Sequence, residues 1–196
     1  NFRARTVSAM LALSVMGGGA AEMIGGQLGL EPEQAQSAIS VALPVLLGVG
    51  LLAAQGGALR GTQPNDLGVK DGRLKAPSLT RNSVSSQAAL YPEHPQKGYA
   101  SIEPLPLKNG DAVASLTALS NALQSVPGVT VVDQQPDYLY AQAQTRWLKF
   151  VDDLEFWVNP VSGVIELRSA SRLGREDFGA NRERIEAVRA AYLAQP

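Results

Sequence analysis

Two runs in the C-terminal third alternate residue by residue. In 150–158, Phe150, Leu154, Phe156 and Val158 fall on one side, and Val151, Asp153, Glu155 and Trp157 on the other. In 164–172, Ile165, Leu167, Ser169 and Ser171 share a side opposite Glu166, Arg168, Ala170 and Arg172. Period two predicts strands, and Asn159-Pro160-Val161-Ser162-Gly163 between them is turn chemistry. Pairing Val158 with Ile165 sets Phe156 against Leu167 and Glu155 against Arg168, with Asp153 diagonal to Arg168 and Arg172. Apolar residues then meet apolar ones and opposite charges meet, whereas a slip by one residue breaks both. Asp152 is the exception: it lies on the apolar side and needs a partner, for which Ser171 directly across is a candidate.

The pattern on either side predicts the rest of a domain over 111–196. Asp111 caps a helix to about Ser125 whose apolar stripe is Val113, Leu116, Leu119, Leu123 and Val126. Pro127-Gly128 ends it. A short strand follows at 129–132, then a turn at 133–137. The next strand, 138–145, sets Tyr138, Tyr140, Gln142 and Gln144 opposite Leu139, Ala141 and Ala143. A last helix, from about Asn181 to Leu193, packs through Ile185, Val188 and Leu193. The expected fold is α+β: a two-layer domain with a four-stranded, mainly antiparallel sheet and two helices, preceded by an apolar helical hairpin.

That hairpin is read from residues 1–59. Residues 7–30 are apolar and rich in small residues, with Glu22 the single charge. Gly17, Ala21, Gly25 and Gly29 recur every four residues and would form one smooth helical stripe, as in closely packed membrane helices; a tight loop or a soluble hairpin could hold them too. Arg3 and Arg5 ahead of the run also have the form of a signal peptide. Glu31-Pro32-Glu33 is a helix start. Residues 37–54 then run eighteen positions without a charge, at the lower edge of a membrane span, with Pro44 as a tolerated kink. If both segments cross, Arg3, Arg5, Arg60 and Lys70 share the cytoplasmic or stromal side. Residues 60–110 are dense in Gly, Pro, Ser, Asn and Gln. They read as a linker and an irregular wrapping arm anchored by Leu67, Leu74, Val84, Leu90, Tyr91 and Ile102.

Charge sharpens this division. Residues 1–59 hold two of the 17 basic and three of the 18 acidic residues, which leaves fifteen of each for the rest. No basic surface is implied, which weighs against nucleic acid as the main partner. The absence of cysteine excludes disulfides, thiolate catalysis and cysteine-ligated metals. The single histidine, His94, cannot build a multi-histidine metal site and reads as a surface residue of the arm. No metal or cofactor is expected.

The candidate chemistry is the charged set Arg146, Asp152, Asp153, Glu155, Arg168, Arg172, Arg175, Glu176, Asp177 and Asn181. Paired carboxylates can do acid–base work, but here each acid has an arginine close by, which lowers its pKa and spoils it as a proton donor. A structural ion-pair network is the leading reading. A pocket for a small polar or anionic ligand built on Arg168 and Arg172 is the second. A hydrolase or isomerase would need a cleft holding Asp153 or Glu155 without its arginine. Trp157, Tyr138 and Tyr140 fall on the same sheet side as the charges and could bind a partner or ligand there, unless the helices cover it.

Several motifs resemble the DUF1499 family, a domain of unknown function found in bacteria and photosynthetic eukaryotes. They are Pro64-Asn65-Asp66-Leu67-Gly68-Val69, Asn82 with Val84-Ser85-Ser86-Gln87, Phe150-Val151-Asp152-Asp153 with Glu155-Phe156, Val164-Ile165, Arg168-Ser169-Ala170-Ser171-Arg172, Gly174-Arg175, Phe178-Gly179, and Asn181-Arg182 with Arg184-Ile185-Glu186. The resemblance covers 64–87 and 98–193. Family members often carry two cysteines where this chain has Pro77 and Ser83, so no thiol role carries over. The resemblance implies a fold unit and no reaction, and some members carry membrane segments ahead of the domain. Taken together, these features lead us to expect a non-catalytic, membrane-anchored accessory subunit of a larger membrane complex. Complex subunits, lipid and pigment would be its contacts, and a thylakoid or bacterial inner membrane its location.

Overall fold

The computed structural model describes residues 31–195, and the chain divides into two compact units, Asn1–Ala58 and Leu59–Pro196. In the first, helix α1 spans Pro32–Gln55. The side chain of Gln34 accepts the backbone N–H of Glu31 at 3.3 Å, closing the first turn. Gly57, at φ +89°, follows the end of the helix.

The membrane reading is corrected here. Among the described residues, no helix is long and apolar enough to cross a membrane. The apolar stretch read as a span, residues 37–54, rises only about 27 Å at 1.5 Å per residue, short of a hydrocarbon core of roughly 30 Å. The transmembrane anchor, the thylakoid or inner-membrane location and the accessory-subunit role resting on them lose their basis. Gly17, Ala21, Gly25 and Gly29 lie outside the described residues.

The second unit is built on one antiparallel sheet of six strands, not the four expected. The strands are β1 (Ser83–Ser85), β2 (Leu105–Pro106), β3 (Val129–Gln134), β4 (Tyr138–Gln144), β5 (Val151–Asn159) and β6 (Val164–Ser171). The order is β1-β6-β5-β4-β3, and β2 pairs with β6 further along the edge it shares with β1. The central hairpin has the register read from the alternation: Val158 opposite Ile165, Phe156 opposite Leu167, Glu155 opposite Arg168. The two added strands come from the arm. Each is too short to announce itself by periodicity, yet together they cover the N–H and C=O groups along the outer edge of β6.

Among the described residues there are four α-helices, in place of the expected pair plus hairpin. Besides α1 they are α2 (Lys97–Ala100), α3 (Ala112–Ser125) and α4 (Ala180–Leu193). Asp111 caps α3 by accepting the Ala114 N–H at 3.0 Å. Helices α3 and α4 bury Leu116, Leu119, Leu123, Ile185, Val188 and Tyr192 against Leu139, Leu154, Phe156, Ile165 and Leu167 of the sheet. Val84, Ile102 and Leu105 of the arm complete this core. A second, smaller cluster lies on the opposite sheet face, where Leu74 of the arm packs with Tyr138, Tyr140 and Trp157, edged by Leu67 and Val69. The sheet is therefore covered on both faces, by helices on one and by the arm on the other.

Candidate functional site

Alternation along β5 sends neighbouring residues to opposite faces. Asp153 and Glu155 go to the arm side, where β4 contributes Tyr138 and Tyr140 and β6 contributes Arg168. Arg172, just past β6, completes the set. Asp153 is 1% exposed and takes one guanidinium edge of Arg172 in a two-point grip, Nε to Oδ2 at 2.9 Å and Nη2 to Oδ1 at 2.7 Å. Tyr140 donates to Asp153 Oδ1 at 2.5 Å and accepts from Arg172 Nη2 at 3.1 Å. One register step along, Glu155 is wholly buried and meets Arg168 at 3.4 Å. It also accepts from Tyr138 at 2.9 Å and from the backbone N–H of Gly68 at 2.7 Å. Arg168 reaches on to the carbonyl of Ala76 at 3.3 Å. The Glu155–Arg168 pair is thus tied to the arm that covers it, while the Asp153–Arg172 pair is closed by Tyr140 of β4.

The electrostatics follow from burial. Burial pushes the Tyr140 phenol up to about 12, with the hydrogen bond to Asp153 adding to the shift. Burial raises Tyr138 as well, reinforced by the charge of Glu155. Burial lowers Arg168, opposed by the charges of Glu155 and Asp153. The bidentate bond to Asp153 raises Arg172. Both acids keep their arginines, so neither stands as the unpaired proton carrier that acid–base catalysis would require. Both arginines are spent on acids inside the protein. An anion binding directly to them would have to displace a carboxylate.

The open space lies beside this network. A cleft of about 370 Å³ runs between the arm and the β3–β4 end of the sheet, lined by Gln63, Leu67, Gly68, Val69, Asp133, Gln135, Asp137, Tyr138 and Tyr140. The two tyrosines that bond the buried carboxylates form its floor, and the exposed Asp133 and Asp137 stand at its rim.

Asp152 points the other way, into the helix layer. Its partner is Arg184 of α4 at 2.7 Å, in place of the expected Ser171. Asn181, fully buried at the start of α4, accepts from Ser169 at 2.5 Å. It donates to Ser171 Oγ at 3.0 Å, to the carbonyl of Asn82 at 3.1 Å and to Asp177 at 2.7 Å. Asp177 also accepts the Tyr99 hydroxyl and the backbone N–H of Gly179. Burial works against the Asp177 charge, but bonds from Tyr99, Asn181 and Gly179 outweigh it and hold its pKa below the usual carboxylate range. Burial and Asp177 together push the Tyr99 phenol up to about 12. This network fastens Asn82 and Tyr99 of the arm to α4.

The predicted set is therefore split. Asp153, Glu155, Arg168 and Arg172 gather on the arm face, and Asp152, Asp177 and Asn181 on the helix face. Arg146 stands outside both, its guanidinium 5.0 Å from the centre of the Trp147 ring, and Arg175 is exposed on the loop after β6. Glu176 pairs with Arg81 at 3.5 Å. His94 accepts the backbone N–H of Gln96 at 3.2 Å within the arm. The arm-side face, read as open unless the helices cover it, is covered by the arm. Sequence reasoning missed Arg184, Tyr99 and Gly68. The demand of Asp152 for a partner was a signal for the first, while nothing local pointed to the others.

No curated protein and no solved structure matches this chain. Residues 73–192 match the family described as protein of unknown function, DUF1499. The matched segment runs from the arm, through both networks, to the last helix, so the chain belongs to the DUF1499 family.

Proposed function

We propose that the Leu59–Pro196 unit is a non-catalytic binding domain for a small polar ligand, taken into the cleft between the arm and the β3–β4 end of the sheet. The observation that carries this reading is the cleft floor. Tyr138 and Tyr140 line a space of about 370 Å³ while their hydroxyls are fixed on Glu155 and Asp153. Aromatic walls with a few placed polar groups are what small-molecule pockets use, and the buried ion pairs keep those walls from moving. The rim carries Asp133 and Asp137, and no cation is among the lining residues. That charge suits a neutral polar molecule or an organic ammonium better than an anion.

The test is a thermal-shift screen of the full chain against amines, amino acids, polyols and sugars, repeated on Gln63→Ala and Asp137→Asn. Both substitutions alter exposed cleft residues outside the buried networks. A compound that raises Tm in the parent and loses most of that effect in either variant supports the reading. No stabilising compound, or shifts identical in all three proteins, would refute it.

A further inference from the structure

The opposite end of β4 carries a different surface. The β4–β5 turn, the loop after β6 and the arm segment before β1 all lie at this end, because the ends of β4 and β6 and the starts of β5 and β1 adjoin there. The last two are zipped together: Asn82 donates to the carbonyl of Gly174 at 2.9 Å, and the Asp177 N–H donates to the carbonyl of Arg81 at 2.9 Å. Large apolar side chains stand in water along these segments, with Phe178 83% exposed, Leu79 75% and Trp147 62%.

Phe178 is the feature that asks for a reason. Its φ is +52°, in the left-handed region that bulky side chains avoid. Its neighbours are pinned. Asp177 holds Tyr99, Asn181 and the Gly179 N–H, and Gly179 is itself left-handed at φ +87° ahead of α4. The fold thus keeps an aromatic ring on an unfavourable backbone and gains little burial from it. Strain of this kind gathers at binding and switch sites. The surrounding charge is positive, since Arg146 and Arg175 are exposed. The acids nearby are committed, Glu176 to Arg81 and Asp177 to the buried network.

We propose that this end of the sheet is a protein-docking surface in which Phe178 enters an apolar pocket of a partner, and that the partner carries acidic residues around that pocket, facing Arg146 and Arg175. Aromatic and arginine side chains are the usual anchors of such contacts, and the charge excess selects an acidic surface. A rigidly held knob favours a protein over the alternatives. A pocket of fixed shape gains affinity from preorganisation, whereas a lipid surface needs no fixed ring. A nucleic acid would draw on cations more than on leucines.

The experiment selects a random-peptide display library on the full chain and measures selected peptides, phosphatidylglycerol vesicles and a single-stranded RNA by titration calorimetry against the parent, Phe178→Asn, Phe178→Tyr and Arg175→Glu. Asparagine tolerates the left-handed backbone, so Phe178→Asn removes the ring while leaving Tm equal or higher. Peptides pairing Asp or Glu with apolar residues, bound at least tenfold more weakly by Phe178→Asn and Arg175→Glu and normally by Phe178→Tyr, are the expected result. Four outcomes would overturn the proposal: no enriched peptide, affinity indifferent to Phe178, a lower Tm for Phe178→Asn, or ring-dependent binding confined to phosphatidylglycerol vesicles or single-stranded RNA.

Discussion

Asp152 of β5 and Arg184 of α4 meet at 2.7 Å inside the helix layer, while Asp153, the next residue, is bound by Arg172 on the other side of the sheet. One Asp-Asp dipeptide thereby anchors two layers. Losing one member of a buried pair strands the other charge, so Arg184→Ala should cost about 3–5 kcal/mol. Arg184→Met combined with Asp152→Leu should recover much of that loss. Urea denaturation of the two variants measures it, and equal destabilisation would refute the pairing.

Glu155 reaches past Arg168 to the Gly68 N–H at 2.7 Å. An amide in place of the carboxylate weakens a charge-assisted bond by roughly half. Glu155→Gln should therefore speed hydrogen exchange at Gly68 and proteolysis of the arm around it before it unfolds the helix layer. Unchanged exchange at Gly68 would refute this role of Glu155.

Stability should fall at both ends of the pH range, for separate reasons. Tyr140 and Tyr99 are each raised to about 12 in the folded chain, above an unfolded value of 10.0. Below that unfolded value both states keep the proton and the stability is fully present. Between it and the folded value the unfolded chain ionises first, and stability is lost. Asp177 is shifted the other way, below 3.8. Its contribution is present above the unfolded value and disappears as pH falls through the folded one. Thermal melts against pH should show Tyr140→Phe flattening the alkaline limb and Asp177→Asn the acid limb.

Gly128 turns the chain from α3 into β3 at φ +79°, where an added Cβ would sit 2.6 Å from the carbonyl oxygen of Gln144. Gly163 in the β5–β6 turn has φ +67° and open space around it. The left-handed backbone alone costs an L-residue about 1–2 kcal/mol. Gly163→Ala should lose about that much in chemical denaturation and Gly128→Ala clearly more, because the backbone of β4 cannot move aside. Equal losses would show that the close approach is relieved.

The sequence alone determined the central hairpin, its register and the helices on either side of it. Val158, Phe156 and Glu155 find Ile165, Leu167 and Arg168 through alternation, a signal carried by the strands themselves. The demand of Asp152 for a partner was equally plain. Only the tertiary structure decided what met that demand, because Arg184 lies 32 positions along the chain on a different element. It also decided that the arm supplies two strands to β6 and covers the tyrosine face, since strands of two or three residues have no period to read. The length of the apolar run in α1 suggested a span. A run so near the minimum length does not settle whether a helix can cross, because that depends on its rise against the thickness of the bilayer.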